Sequence, residues 1–329
     1  MERVQGERPR RRSDGAARRI GPYHLITRLD PAGPGQPPVP VRRFIARSAD
    51  GDRTVLVGAP LDGADAGRFR VEAEAARRFG GPWVLPVTEL AAPSETPWYA
   101  SPYLPVLPLP VALAVHGGPL PLRTVRALGA ALAETLAGAH AEGVTHAGLS
   151  PASVLLAWDG PRLTCFGTAR AAAQDGVPRT GLPGLEPGSL APEQATGGRP
   201  RPPGDVYGLG AVLAYAATGH SVPDSTELPE SLRPLVARCL TRDAAARPTA
   251  AEVLGALPVE PSTPVATVID SAGALLGPGW LPNRVVAALA RQSAEVLAVE
   301  VPSGTAAGFD AQAPAGGDAR TPTSPTARS

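Results

Sequence analysis

Lysine is missing from this chain. All 31 basic residues are arginine, so no ammonium group anywhere in it can reach a bound phosphate. A coding bias toward G and C accounts for arginine in place of lysine and for the many alanines, glycines and prolines. Cysteine is nearly missing: Cys165 and Cys239 alone supply neither a disulfide framework nor a zinc set, which points to a reduced, cytoplasmic protein. His140, His146 and Cys165 have the chemistry of metal ligands without a recognised ligand spacing. No run of eighteen apolar residues occurs, and the arginine-rich start lacks the apolar centre of a signal peptide, so no membrane span or secretory leader is expected. An excess of one charge is lacking too. The formal net charge is +1, which excludes long-range attraction to nucleic acid as a property of the whole. The exception is residues 1–19, where seven arginines face three acids. That is the composition of a solvated, disordered arm, with contact to an acidic partner, RNA or lipid as the other reading.

What is present is 329 residues, enough for one large or two modest domains, and one stretch of dense motif. From His146 the chain reads His-Ala-Gly-Leu-Ser-Pro-Ala-Ser-Val-Leu-Leu; a Trp158-Asp159-Gly160-Pro161 turn follows, and then Thr-Cys-Phe-Gly ending at Gly167. This resembles the catalytic and metal-binding loops of protein kinases, His-Arg-Asp-Leu-Lys-Pro-x-Asn-x-Leu-Leu with Asp-Phe-Gly about ten residues on. On that frame the proton-accepting aspartate falls at Gly148, the loop lysine at Ser150, the metal-binding asparagine at Ser153 and the metal-binding aspartate at Cys165. The strand that would carry the phosphate-binding lysine is Thr54-Val55-Leu56-Val57, and the next residue is Gly58. Coding bias would have left arginine there.

The chain is therefore identified as a degenerate member of the bacterial serine/threonine protein kinase family, of the actinobacterial type. The resemblance implies an α+β, bilobal fold with a small β-rich N-lobe over 20–104 and a mainly helical C-lobe over 105–257. A linker is expected over 258–276, a helical extension over 277–301 and a disordered tail over 302–329.

In the first lobe, β-like runs are expected at Tyr23 to Leu29, Phe44 to Arg47 and Thr54 to Val57. Between the first two, where a kinase places its glycine-rich loop, stand Asp30 and a proline-rich run to Pro40, with only Gly33 and Gly35 to cradle a phosphate. A helix is expected over Arg68 to Phe79. It resembles the regulatory helix of the family, with Glu72 in the place of its glutamate. With Gly58 opposite, the reading of Glu72 is a solvated carboxylate, with capture by an arginine as the alternative. Pro97 to Leu104 resembles the hinge. Leu56 stands where the family places a small residue against the adenine ring, Leu155 where it supports that ring from below, and Leu104 at the hinge. These residues, with Gly33 and Gly35, would form a vestigial nucleotide cleft.

In the second lobe, Leu122 to Glu142 carries apolar residues at helical spacing. The resemblance gives structural roles to His146 and Phe166, which stack between the lobes, to Asp205, which accepts backbone N–H bonds from the loop, and to Glu193 and Arg247, a buried pair. Beyond it, Pro282 and Asn283 suit a helix start, and Val285, Val286, Leu289, Val296 and Leu297 make an apolar stripe.

Phosphoryl transfer needs a cation on the phosphates, divalent metal held by hard oxygens and a carboxylate on the attacking hydroxyl. Gly58, Cys165, Ser153 and Gly148 supply none of these, so the reading is a pseudokinase acting through protein partners, with weak or no binding of ATP and Mg2+. Two alternatives stay open. An active kinase would use a displaced cation, Arg42 or Arg43, with Asp159 or Asp175 as metal ligand. A ligand sensor would hold something else in the cleft.

Overall fold

The structure is a computed structural model that describes residues 19–31, 37–257 and 272–299. The expected arm up to Arg18, Gly33, Gly35, most of the expected linker and the tail lie outside the described residues.

The first lobe is an antiparallel sheet. Its strands are β1 (Arg19–Ile20), β2 (Tyr23–Arg28), β3 (Arg42–Ser48), β4 (Thr54–Ala59), β5 (Glu89–Leu90) and β6 (Tyr99–Pro102), in the order β1-β2-β3-β4-β6-β5. Helix α1 (Ala66–Arg77) crosses between β4 and β5. Its first turn is closed by Asp65, whose carboxylate accepts from the Arg68 N–H at 2.8 Å.

Register decides what each face of this sheet offers, because side chains alternate along a strand. Arg43 pairs with Gly58 and Gly58 with Tyr99; Ile45 pairs with Leu56 and Leu56 with Ser101. Those six residues share one face. On the opposite face Tyr23, Ala46, Val55, Val57, Trp98 and Ala100 form a closed apolar cluster.

A short sheet opens the second lobe: β7 (Leu107–Pro108), then α2 (Leu109–His116) and α3 (Leu122–Ala141), then β8 (Val154–Ala157) and β9 (Gly160–Leu163), in the order β7-β8-β9. Helices α4 (Thr168–Ala172), α5 (Pro192–Ala195), α6 (Pro202–Thr218), α7 (Arg233–Cys239) and α8 (Ala250–Ala256) complete it. Leu128, Leu132, Leu136, Leu209 and Leu213 are fully buried between α3 and α6, each worth roughly 1.5–3 kcal/mol of burial. Helix α6 rests directly on the loop after His146. A Cβ at Gly208 would lie 2.6 Å from the Leu149 carbonyl oxygen, so only glycine permits this approach.

The β-rich and helical halves are the bilobal α+β arrangement expected from the sequence. Two details differ. The end of the expected linker is packed: Ala272–Leu275 forms a helical turn, and Ala272 and Leu276 are buried in the second lobe. In α9 (Asn283–Ala298) the buried stripe is Val285, Leu289 and Val296, whereas Val286 and Leu297 are exposed. Each follows a buried residue by one position, a rotation of about 100° that carries it off the seam. Among the described residues no helix is long and apolar enough to cross a membrane.

Candidate functional site

The sheet face bearing Arg43, Leu56, Gly58 and Tyr99 closes over the loops that carry Gly148, Ser153 and Cys165. Arg43 is buried and turns to Asp30. Its Nε donates to one carboxylate oxygen at 2.9 Å and a terminal nitrogen donates to the other; a second terminal nitrogen reaches Thr164 Oγ1 at 3.4 Å. Burial opposes the guanidinium charge, but the Asp30 carboxylate more than offsets it and holds the Arg43 pKa above its ordinary value. Arg42 points elsewhere, to the Pro60 carbonyl at 2.8 Å and to Asp62 at 2.9 Å.

At Gly58 the missing side chain is replaced from the neighbouring strand: a Cβ there would fall within the Tyr99 ring. Tyr99 also stacks on Phe69 of α1, with centroids 5.9 Å apart. Burial, then the neighbouring Cys165, pushes its phenol pKa well up. Glu72 is not a solvated carboxylate. It accepts from Arg170 Nε at 2.8 Å, and Arg170 also donates to Thr145 Oγ1 at 2.9 Å. With no lysine on β4 the carboxylate is captured by the next available cation, from the segment after Gly167.

In the loop after His146, Asp205 accepts from the N–H groups of His146 and Ala147, each at 2.8 Å, and lies 3.0 Å from His140 Nε2. Gly148 has φ +133°, and a Cβ there would sit 2.9 Å from Thr168 Cβ. Ser150 and Ser153 bond to each other: Ser153 Oγ accepts from Ser150 N at 3.0 Å and donates to Ser150 O at 2.8 Å. Its hydroxyl is thereby engaged. Cys165 (φ +63°) sits 2.9 Å from Thr164 Oγ1 and 4.0 Å from the Tyr99 hydroxyl. Burial pushes its thiol pKa up, which disfavours a metal-binding thiolate.

His146 is fully buried, bonds Thr164 O through Nε2 at 2.9 Å and packs on Phe166 with ring centroids 4.5 Å apart. Burial, only partly opposed by Asp205 and Thr164 O, lowers its pKa to about 4. His140, His146 and Cys165 thus each have other partners. Among the described residues no group of three or more His, Cys, Asp or Glu side chains converges on a metal position. Asp159 pairs with Arg162 at 2.7 Å and Asp175 with Arg179 at 3.0 Å.

Leu56, Leu155 and the half-buried Leu104 pack together with Leu29 and Ile45. The space left between Leu29, Arg43, Leu56, Gly58, Tyr99 and Leu155 is about 10 Å³, room for one water at most. Behind it, between α1 and Phe166, lies a mostly apolar cavity of about 80 Å³ into which Ser101 faces. The Ser101 hydroxyl is buried and has no hydrogen-bond partner among the described residues.

Farther out, Arg247 binds Glu193 through two bonds of 2.7 and 2.8 Å. It also donates to the carbonyls of Thr241, Pro203 and Arg242, and lies over the Tyr207 ring. Arg179 escaped the sequence reading. It is fully buried and donates to the carbonyls of Ala169, Ala173, Gln194 and Gly198. Its signal was an arginine alone in a glycine- and proline-rich stretch, which reads equally well as a loop.

No protein-family model matches the chain. It is 38% identical over 261 residues to a probable serine/threonine-protein kinase, PkwA, of Thermomonospora curvata, covering 73% of this chain and 34% of that protein. It is 32% identical over 291 residues to the serine/threonine-protein kinase AfsK of Streptomyces coelicolor, covering 82% and 35%. Against AfsK of Streptomyces griseus the identity is 33% over 249 residues, covering 69% and 30%. The chain spans about a third of the length of these curated relatives.

Proposed function

We propose that this chain, which is similar over 69–82% of its length to serine/threonine-protein kinases of Thermomonospora and Streptomyces, is a non-catalytic member of that kinase family, a pseudokinase that regulates or scaffolds through protein contacts. The observation that carries this reading is the filled cleft. Arg43 is neutralised by Asp30, the Tyr99 ring takes the volume beside Gly58, and the pocket among Leu29, Arg43, Leu56, Tyr99 and Leu155 holds about 10 Å³. Magnesium nucleotide does not fit these residues. Cys165 offers a protonated thiol and Ser153 an engaged hydroxyl in place of hard anionic oxygens. Gly148 offers no group to orient an attacking hydroxyl. The retained bonds of Asp205 and of Glu193 with Arg247 keep the loops in shape without serving chemistry.

A second reading is an active kinase, favoured by the similarity to proteins described as serine/threonine-protein kinases. It would recruit Arg43, which lies 3.4 Å from Thr164 Oγ1 beside Cys165; Asp30 would first have to release it. A third, a ligand sensor, is favoured by the cavity that Ser101 faces. Phosphotransfer from radiolabelled ATP with Mg2+ to a generic serine/threonine substrate separates the first two. No transfer above a heat-inactivated control is expected. Metal-dependent transfer that Arg43→Ala abolishes would establish the displaced-cation kinase.

A further inference from the structure

Helix α9 runs from the second lobe onto the first. Its sixteen residues span about 24 Å, and Val285, Leu289, Gln292 and Val296 fall on one seam at i, i+4, i+7 and i+11. The two ends of that seam enter different cores. Val285 and Leu289 are buried in the main cluster of the helical lobe. Val296 is buried in the cluster of Leu29, Ile45, Leu56, Val106 and Leu155, which lines the vestigial cleft.

Polar anchors fix the same path. Gln292 makes two hydrogen bonds to the backbone of one residue just past the hinge: its Oε1 accepts from Val106 N at 2.9 Å and its Nε2 donates to Val106 O at 2.8 Å. That is the paired donor and acceptor pattern by which a flat heterocyclic amide or purine edge would engage a backbone. Arg47 of β3 donates to the carbonyls of Val296 and Val299, both at 2.6 Å, and so caps the end of the helix where unpaired carbonyls gather.

We infer that α9 is a built-in plug of the cleft mouth, occupying with Gln292 and Val296 the apolar, hydrogen-bonding slot that a planar ligand would otherwise enter. The plug closes the slot from the hinge side, while Asp30, Arg43 and Tyr99 fill it from the sheet side. Removing α9 uncovers the apolar cluster that Val296 enters and deprives Val106 N and O of their Gln292 partners, a combination suited to planar, uncharged aromatic groups. The inference does not depend on whether the fold is catalytic.

Full-length Val296→Asp tests it, with Val286→Asp as the same charge on the exposed face of α9. The probe is the planar, uncharged dye 6-propionyl-2-(dimethylamino)naphthalene, read by fluorescence under conditions where the variants remain folded. Val296→Asp is expected to bind dye at least tenfold tighter than wild type, and a synthetic peptide of residues 283–299 is expected to suppress that gain. Hydrogen exchange at the Val106 amide should accelerate at least tenfold. Val286→Asp should match wild type in both measurements. Gln292→Ala, which places no charge in the core, keeps the test decisive should Val296→Asp not fold: dye affinity and Val106 exchange should both rise. Unchanged dye binding and exchange in Gln292→Ala would overturn the plug, as would a gain in Val296→Asp that the peptide fails to reverse. Phosphotransfer appearing in an opened variant would refute the non-catalytic reading and leave the plug standing.

Discussion

Gly58 and Tyr99 exchange volume across β4 and β6, and that exchange makes a test possible at single residues. A lysine at position 58 needs the space the Tyr99 ring holds, so Gly58→Lys should destabilise by about 1–3 kcal/mol through overpacking. Gly58→Lys with Tyr99→Ala should be less unstable than the sum of the two single changes, since the second removes the clash. Urea unfolding of all four proteins gives the coupling, and strict additivity would separate the two sites. His146 gives a test against pH. Its folded pKa is lowered to about 4 from 6.5, so the unfolded chain takes up a proton at higher pH than the folded one. The contribution is therefore fully present above pH 6.5 and is lost as pH falls to about 4, amounting to about 3 kcal/mol over that window. His146→Gln should lose that much less stability than wild type between pH 7 and pH 4. Equal losses in the two proteins would mean His146 does not titrate in this way.

Among the elements, the segment after Gly167 hangs on two arginines. Arg170 ties it to α1 through Glu72, and Arg179 ties it to itself through four carbonyls and Asp175. Arg179→Ala would leave several buried carbonyls unpaired, so a loss of about 3 kcal/mol and early proteolytic cleavage between residues 174 and 186 are expected. Wild-type protease resistance there would show that the loop holds its shape without this residue. The strands and helices themselves were legible, because Thr54-Val55-Leu56-Val57 and the apolar spacing of α3 carry their periods in the residues. Position 58 on β4 and the loop positions 148, 153 and 165 were legible as a frame, because kinase spacing survives around them. What replaces the lost groups was not legible. Tyr99 covering Gly58, Arg170 capturing Glu72 and Gln292 reaching Val106 join residues 41, 98 and 186 positions apart, and no local pattern encodes such pairings. The Asp30 and Arg43 pair was visible only as two separate charges, Asp30 as a carboxylate in the place of the glycine-rich loop and Arg43 as a candidate displaced cation.

For the whole molecule, stability at the far end of the second lobe and nucleotide binding at the cleft are separate properties, and each has its own measurement. Arg247 has no exposed side-chain surface whereas Glu193 is 36% exposed. Arg247→Ala should therefore cost about 3 kcal/mol, the low end for breaking such a pair. Burial raises the Glu193 pKa, but the Arg247 bonds prevail and hold it below the usual value. This contribution is present above the ordinary glutamate range and fades as pH falls through the folded pKa. A urea midpoint unchanged in Arg247→Ala would remove the pair from that role. The cleft is tested by ligand instead. With no lysine, a neutral thiol at Cys165, Arg43 held by Asp30 and about 10 Å³ of free space, Mg·ATP should bind no tighter than ~1 mM. At ~1 mM ligand that stabilises by at most RT ln 2, about 0.4 kcal/mol, which moves the melting temperature by roughly 1–2 °C for a chain of this size. A shift of ~5 °C or more that needs both ATP and Mg2+ would require a metal–phosphate site to form. Asp30 and Tyr99 would then have to leave the places they hold, and the filled cleft would be one state of a protein that opens for nucleotide.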